Sequence, residues 1–217
     1  CLVTDTASVK VPVLAWARET LPPHVHFVGG DPIGVRRRAT IPAADLFARA
    51  AYCLCPDPST PTEAVERAAD LVTAVGAKPH FVDAAEHDGL VAALDQLPFL
   101  ISAAVLQTTR SGGSWRELTN LGSGRFDQLL TLLGENPLGD VQVAQANAEN
   151  VVRWLDAIGE TIASLRALLT QEPQAAQAVV KRLQEAQVEW SRHGQEVETS
   201  AAMGGKALNW RRLFWLG

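Results

Sequence analysis

The stretch of sequence that decides the fold is residues 83–105, DAAEHDGLVAALDQLPFLISAAV. Its apolar residues recur every three or four positions, at Leu90, Leu94, Leu97, Ile101 and Val105. This spacing predicts a helix whose apolar face is buried. Pro98 interrupts the helix, and the EHD string at 86–88 places ionisable groups near its start. That combination is more typical of a helix that lines a site than of one that only fills a core.

Upstream of this helix, the chain alternates predicted strands and helices. Gly29 and Gly30 are predicted to form a sharp turn that brings a loop to the site, and Asp5 or Ser8 is predicted to cap the first helix. Units of strand, turn and helix are typical of a sheet that binds nucleotides. The predicted strands are residues 2–4, 25–28, 51–56 and 79–82, and the predicted helices are residues 7–21 and 62–75.

The glycine fingerprint of a dinucleotide-binding turn is missing from the sequence. No G-x-G-x-x-G follows a predicted strand, and the glycine pairs at 29, 112 and 204 have a different spacing and context. We therefore expect only the second half of a Rossmann-like sheet. Because half a sheet would expose an edge strand, we expect the chain to be a fragment or a processed form.

From residue 84 onward the sequence pattern is helical. The predicted domains are residues 1–83, an α/β partial Rossmann-like domain, and residues 84–217, an all-α substrate and dimerisation domain. Apolar residues spaced by four and three in residues 151–169 and 176–190 predict a hairpin of two long helices that forms a homodimer. The basic and aromatic tail, residues 201–217, is expected to dock on its own subunit or on the partner.

Composition indicates a soluble, cytoplasmic protein. A net charge of -5 and a pI near 5.5 give no reason to expect nucleic acid. No window approaches the apolar length of a membrane span, and no secretory signal is visible. Cys53 and Cys55 form a C-x-C pair, for which buried reduced thiols are favoured over a metal site, because a metal would need further ligands.

Four strings together resemble the prephenate/arogenate dehydrogenase family. Residues 4–10, TDTASVK, are similar to that family's TDvgSvK, and residues 31–34, DPIG, stand where it has HPMAG. The string EHD, then VA, then LP within residues 86–98 is similar to HD…VA…SHLPH. Residues 126–147 keep the Phe, Pro and Asn of gFRDxTRiA…P…N. Because these strings occur together and in order, another β-hydroxyacid-type dehydrogenase is a weaker interpretation.

The resemblance implies oxidative decarboxylation of prephenate or arogenate with NAD or NADP, in tyrosine biosynthesis. It implies catalytic roles for Ser8, Asp31 and Asp88. Substrate contacts are implied for Gln96 and Thr131. The charge run that contains Arg36 and Arg37 is either a solvated loop or a source of positive charge for a dicarboxylate. The cofactor is expected beside Thr4, Asp5 and Thr6.

Four positions depart from the family pattern. Asp31 and Phe99 stand in place of histidines, and Thr131 stands in place of an arginine that holds a substrate carboxylate. Gln96, at the first histidine of SHLPH, is a further replacement. Two classes of function therefore remain open. The protein is either a divergent dehydrogenase with an Asp base, or a catalytically impaired relative whose dimer serves binding or regulation.

Overall fold

The computed structural model describes residues 1–35, 43–122, 124–170 and 173–202, with side chains of only 177–192 in the last segment. Arg36, Arg37 and the C-terminal tail lie outside the described residues. The elements are β1 (Leu2–Thr4), α1 (Val11–Thr20), β2 (His26–Pro32), β3 (Ala51–Pro56), α2 (Thr62–Ala74), β4 (Lys78–Phe81), α3 (Ala84–Val91), a π-helical turn (Ala92–Gln96), α4 (Leu97–Arg110), α5 (Trp115–Leu121), α6 (Gly124–Leu130), a 3₁₀ turn (Thr131–Leu133), α7 (Pro137–Ala146), α8 (Ala148–Leu169) and α9 (Pro173–Ala202).

The first part of the chain forms a four-stranded sheet with strand order β1-β2-β3-β4. The pairs β1–β2 and β3–β4 are parallel, and α1 and α2 make the crossovers that parallel pairs require. The central pair, β2–β3, is antiparallel, and the described residues between these strands form turns instead of a helix. The predicted fold class, a partial Rossmann-like sheet followed by helices, is confirmed.

Both faces of the sheet are covered by apolar side chains. Val28 and Leu54 pack with residues of α2 such as Val72 on one side. Cys53 and Cys55 pack with Leu14 of α1 on the other. This alternation follows from the two-residue period of a strand, and it explains why β3 is buried along most of its length.

The glycine pair lies inside β2, so the prediction of a turn at this point is wrong. The strand continues to Pro32, and neither Gly29 nor Gly30 has a positive φ. Gly30 is required by a close approach: a Cβ there would lie 2.5 Å from the carbonyl oxygen of Asp5. The pair therefore lets β2 pass tightly against the end of β1 and carry Asp31 beyond it.

The first helix starts later than predicted, at Val11. Asp5 makes a local turn, in which its Oδ2 accepts a hydrogen bond from Ala7 N at 2.9 Å, and neither Asp5 nor Ser8 caps the helix. The cap comes from Asp88, which accepts hydrogen bonds from Lys10 N and Val11 N. A partner 78 residues away in sequence therefore sets the start of α1.

The helix predicted within residues 83–105 is present, but the prediction of which face is buried is wrong. Leu90 and Leu94 are 47% and 56% exposed. In α3 the inward face carries His87, Asp88 and Val91, which leaves Leu90 outside, and the extra residue of the π turn then changes which positions of α4 face inward. The buried positions are His87, Asp88, Val91, Ala92, Gln96, Phe99 and Ser102.

The same helical run, residues 84–110, is long and apolar enough to cross a membrane by length and composition, with a mean hydropathy of 1.8. The prediction that no segment approaches this length is therefore wrong. Mostly buried core helices of soluble proteins pass the same test, and 28% of the apolar window is buried here. Here the buried polar residues bond to other elements: Ser102 Oγ, for example, donates to Leu129 O at 2.7 Å.

The chain packs as two compact units, residues 1–155 and 156–217. The domain boundary near residue 83 therefore stays a prediction from sequence. Within the second unit the predicted hairpin does not bury its apolar seam. Ile162, Leu183 and Trp190 are 53%, 58% and 77% exposed. Such a seam within one chain leaves a large apolar surface for another partner.

Candidate active site

A cavity of about 550 Å³ lies between the residues that follow β1 and the helices after residue 90. Ser8, Gln96 and Thr131, three of the predicted site residues, line it together with Phe99. Its described lining carries the carboxylates of Asp95, Glu135 and Asp140 and contains no Lys or Arg.

A second cavity, of about 190 Å³, shares Ser8 and Asp95 with the first. Asp31 lines this smaller cavity, next to Pro32, Ile33 and Gly34. The Asp31 side chain is brought there by β2 and is 4% exposed. The structure thus brings Ser8, Asp31, Gln96 and Thr131 to two neighbouring spaces.

Lys10 is fully buried and ties β1 to β2. Its Nζ lies 2.5 Å from Asp5 Oδ2 and donates to Gly30 O at 2.6 Å. The other carboxylate oxygen, Asp5 Oδ1, accepts from Gly30 N at 2.8 Å. Both oxygens of Asp5 are therefore bonded to the protein itself, and its carboxylate serves the fold at the position where a cofactor contact was predicted.

Asp88, predicted to be catalytic, is 2% exposed and lines neither cavity. Its Oδ1 accepts from Lys10 N at 2.6 Å and its Oδ2 accepts from Val11 N at 2.9 Å. These amides are at the start of α1, where a negative charge is also favoured by the helix dipole. The carboxylate joins α3 to α1 and does not reach the cavities.

His87 is the main functional candidate that sequence reasoning did not select. The ring is 1% exposed; Nδ1 donates to Asp88 Oδ1 at 2.9 Å, and Nε2 lies 3.3 Å from Asp31 Oδ2. The latter pair is at ion-pair distance but is not aligned for a hydrogen bond, so Nε2 has no hydrogen-bond partner. Burial lowers the pKa of His87, but the interactions with Asp31 and Asp88 outweigh it and raise this pKa above 6.5. The EHD string was the available signal.

Gln96 presents an amide with one unsatisfied donor. Asn147 Nδ2 donates to Gln96 Oε1 at 2.9 Å and to Asp88 O at 2.7 Å. The Asn147 amide is itself oriented, because its Oδ1 accepts from Asn150 Nδ2 at 2.9 Å. Gln96 Nε2 is buried without a hydrogen-bond partner. Sequence reasoning missed Asn147 as a functional residue, although it kept the register of the Phe, Pro and Asn pattern.

Two family models match most of this chain. Residues 1–80 match the model described as prephenate dehydrogenase, nucleotide-binding domain, and residues 83–185 match prephenate dehydrogenase, dimerization domain. The chain belongs to the prephenate dehydrogenase family. That Asp31, Phe99 and Thr131 replace functional residues of the family stays a prediction from sequence.

Curated relatives agree with this family. The prephenate dehydrogenase of Bacillus subtilis is 28% identical over 176 residues, which are 79% of this chain and 47% of the relative. The probable prephenate dehydrogenase NovF of Streptomyces niveus is 35% identical over 145 residues, which are 64% of this chain and 38% of the relative. The chain spans about half or less of the length of these relatives.

Solved structures of the family show the same fold. Synechocystis arogenate dehydrogenase matches with a TM-score of 0.74 at 24% identity, over 89% of this chain and 69% of that one. The prephenate dehydrogenase of A. aeolicus, in complex with hydroxyphenyl propionate and NAD+, matches with a TM-score of 0.76 at 20% identity, over 88% of this chain and 67% of that one.

Thr131 was predicted to stand in place of a family arginine, and this equivalence stays a prediction. The hydroxyl donates to Gln128 O at 2.7 Å, so it is bonded to the preceding turn of its own chain. A threonine cannot make the bidentate, charged contact that an arginine makes with a carboxylate. Arg36 and Arg37, the other predicted sources of positive charge, stay a prediction because they lie outside the described residues.

The two cysteine thiols on β3 are unreactive. Cys53 and Cys55 are buried and free, as the C-x-C pattern predicted. Burial, with a smaller contribution from the charge of Asp31, raises the pKa of Cys53 to about 11, and burial also raises the pKa of Cys55. Both thiols are therefore protonated near neutral pH. Among the described residues, no group of three or more His, Cys, Asp or Glu is arranged to hold a metal ion.

Proposed function

We propose that this chain belongs to a dehydrogenase that oxidatively decarboxylates prephenate or arogenate with a nicotinamide dinucleotide, NAD or NADP. The observation that carries the proposal is the common cavity lined by Ser8, Gln96 and Thr131, which come from three separate strings that resemble the family. Membership of the family supports the reaction class. A cytoplasmic location and a place in tyrosine biosynthesis follow from the same membership.

The reaction asks this chain for a hydrogen-bond acceptor and for anion-binding donors. The substrate carbon that bears the hydroxyl loses a hydride, CO₂ leaves with cleavage of the ring-to-carboxylate bond, and the ring becomes aromatic without net loss of a proton. Asp31 is the acceptor that we propose for the substrate hydroxyl. Ser8 and Gln96 supply neutral donors, because a hydroxyl and the unpaired Nε2 amide can each donate to a carboxylate oxygen.

The cofactor supplies the hydride acceptor when it is bound. The described residues of this chain do not by themselves fit a dinucleotide, because the Asp5 carboxylate is fully engaged with Ala7, Lys10 and Gly30. Thr4, Asp5 and Thr6 line neither of the two cavities. Their role beside the cofactor stays a proposal, which rests on the family and on the NAD+ in the A. aeolicus structure.

Ligand binding tests the proposed substrate class. We expect calorimetric titration of the chain to show binding of prephenate, arogenate or hydroxyphenyl propionate, and we expect Gln96→Glu to weaken it about tenfold or more. The change replaces a donor by an anion, and a hydrogen bond to a charged group contributes about 1.5–3 kcal/mol.

Gln107→Glu is the matched control, because it makes the same substitution at an exposed position of α4. Absence of binding for all three ligands, or an equal loss in both variants, would contradict the proposal. Binding by a whole protein that fails to oxidise prephenate or arogenate would favour the alternative, a catalytically impaired relative. Asp31, Phe99 and Thr131 are the residues that motivate that alternative.

We further propose a homodimer formed through the helical region, which the match to the dimerization domain supports. Light scattering at micromolar concentration is expected to give twice the chain mass of 23.3 kDa. Leu183→Asp, at a residue 58% exposed in one chain, should shift the protein toward the monomer because it would place a charge in an apolar interface. The neighbouring exposed substitution Gln184→Asp is the control. A monomeric parent chain would refute this arrangement.

A further inference from the structure

A buried row of three ionisable side chains runs from the smaller cavity into the protein. Asp31 lines that cavity, the His87 ring is next, and Asp88 is behind it. The three residues are 4%, 1% and 2% exposed. Two carboxylates from different elements, β2 and α3, therefore face the two nitrogens of one imidazole that is shielded from water.

The contacts of Asp88 determine the protonation of one side of the ring. Its carboxylate accepts from Lys10 N and Val11 N, both at the start of α1, and from His87 Nδ1. Backbone N–H donors thus occupy both of its oxygens, so the Asp88 side chain is an acceptor toward the ring. The proton of that contact therefore belongs to Nδ1.

The other side of the ring faces Asp31, whose cavity also carries the carboxylate of Asp95. Tyr52 is a further neighbour, with a pKa raised by burial and by the charges of Asp5 and Asp31. The Lys10 ammonium is bonded to Asp5 and Gly30. Cys53, opposite Asp31 across the β2–β3 ladder, is a neutral thiol near neutral pH. Asp31 Oδ2 is only 3.3 Å from His87 Nε2. Without a proton on Nε2 both atoms are hydrogen-bond acceptors, and with a proton there the two side chains form an ion pair.

We propose that His87 is a positioning residue which, as an imidazolium, holds Asp31 as an ionised hydrogen-bond acceptor at the cavity beside Ser8. A carboxylate and imidazolium pair thereby takes the place of the single imidazole that the family has at position 31. The imidazolium, which also contacts Asp88, offsets part of the negative charge, so the row repels an anionic substrate less than it would with a neutral ring. The catalytic meaning of this assignment rests on the proposed function; the charge state of the pair does not.

Nuclear magnetic resonance of the imidazole tests the charge state without any ligand. The His87 signals are assigned by replacing each of the other four histidines, His24, His26, His80 and His193, with Gln in turn. We expect His87 to be doubly protonated at pH 6.5 and to lose its proton only above that value. Asp31→Asn, which keeps the size of the side chain, should lower the pKa of His87.

Asp70→Asn is the control, because it removes the same charge from an exposed position of α2. A His87 ring that is neutral at pH 6.5 would overturn the proposal. So would a His87 titration that Asp31→Asn leaves unchanged.

Stability against pH gives an independent measurement with a defined sign. Because the pKa of His87 is higher in the folded chain than its ordinary value of 6.5, the stabilisation is complete below pH 6.5 and is lost as pH rises through the folded pKa. Urea denaturation should show this loss in the parent chain and in Asp70→Asn. In Asp31→Asn the loss should be smaller, and an identical profile in all three would count against the pair.

The link to substrate is tested with hydroxyphenyl propionate as the probe. Its affinity for the parent chain should fall about tenfold as His87 loses its proton, which corresponds to about 1.4 kcal/mol, and should vary less with pH in Asp31→Asn. An affinity independent of pH would overturn the role of His87 in ligand binding. If the probe binds at no pH, the proposed function fails, while the resonance experiment still decides whether His87 holds Asp31 ionised.

Discussion

Replacing Asp88 with alanine is expected to lower the free energy of unfolding by about 3–5 kcal/mol, a large part of the 5–15 kcal/mol typical of a folded domain. The substitution leaves the buried amide of Lys10 and the partly buried amide of Val11 without their acceptor and removes a carboxylate from His87. Urea denaturation monitored by circular dichroism would measure the loss.

Asp83→Ala provides the matched comparison for this experiment. Asp83 also accepts from two amides at a helix start, Ala85 N and Glu86 N, but it is exposed and its contacts are local. Loss of such a cap costs about 0.5–2 kcal/mol. Equal losses at Asp83 and Asp88 would mean that the long-range contact between α3 and α1 adds nothing beyond a surface cap.

The second large effect is expected for Lys10→Met, with a loss of about 3–5 kcal/mol in the free energy of unfolding. Methionine fills much of the same volume but leaves the Asp5 carboxylate, whose side chain is 19% exposed, and the carbonyl of Gly30 without their cation. Adding Asp5→Asn should recover part of this loss, because it removes the uncompensated charge. Denaturation of the two single variants and the double variant gives the coupling energy, which we expect to be about 1–3 kcal/mol.

Arg18→Met is the control for the ion pair. Arg18 contacts Asp57 at 2.8 Å, but its side chain is 64% exposed. Exposed pairs contribute about 0–1 kcal/mol. A loss at Lys10 no larger than the loss at Arg18 would show that the buried pair is not important for stability.

Sequence patterns predicted the elements whose formation depends on neighbouring residues. Helix α2 was predicted at residues 62–75 and runs Thr62–Ala74, and strand β1 agrees at residues 2–4. The start of α1 was missed because its cap, Asp88, is remote in the chain. The glycine pair was misread for the same reason: the close approach to Asp5 that excludes a side chain at Gly30 is a contact between strands.

In the candidate site, too, sequence patterns predicted some residues and missed those that depend on contacts between distant elements. Family strings selected Ser8, Gln96 and Thr131, which share one cavity in the structure. The strings could not reveal that His87 lies between Asp31 and Asp88, because the distance from Asp31 to His87 is a property of how β2 packs against α3. Asn147 was missed for a related reason, since its amide is directed by Asn150 and by partners in another helix.

The π-helical turn at Ala92–Gln96 determines which way the site residues after it point around the helix axis. In an uninterrupted α-helix, residues eight apart such as Asp88 and Gln96 point about 80° away from each other, at about 100° per residue. A π turn takes up one additional residue within a turn, which removes roughly that angle. The Gln96 side chain thereby faces Asn147, whose Nδ2 donates to Gln96 Oε1 and to the backbone carbonyl of Asp88. The number of residues between EHD and LP therefore determines the direction in which Gln96 and Phe99 point around the helix axis. Losing one residue there would rotate both side chains away from the cavity while leaving Asp88 where it is.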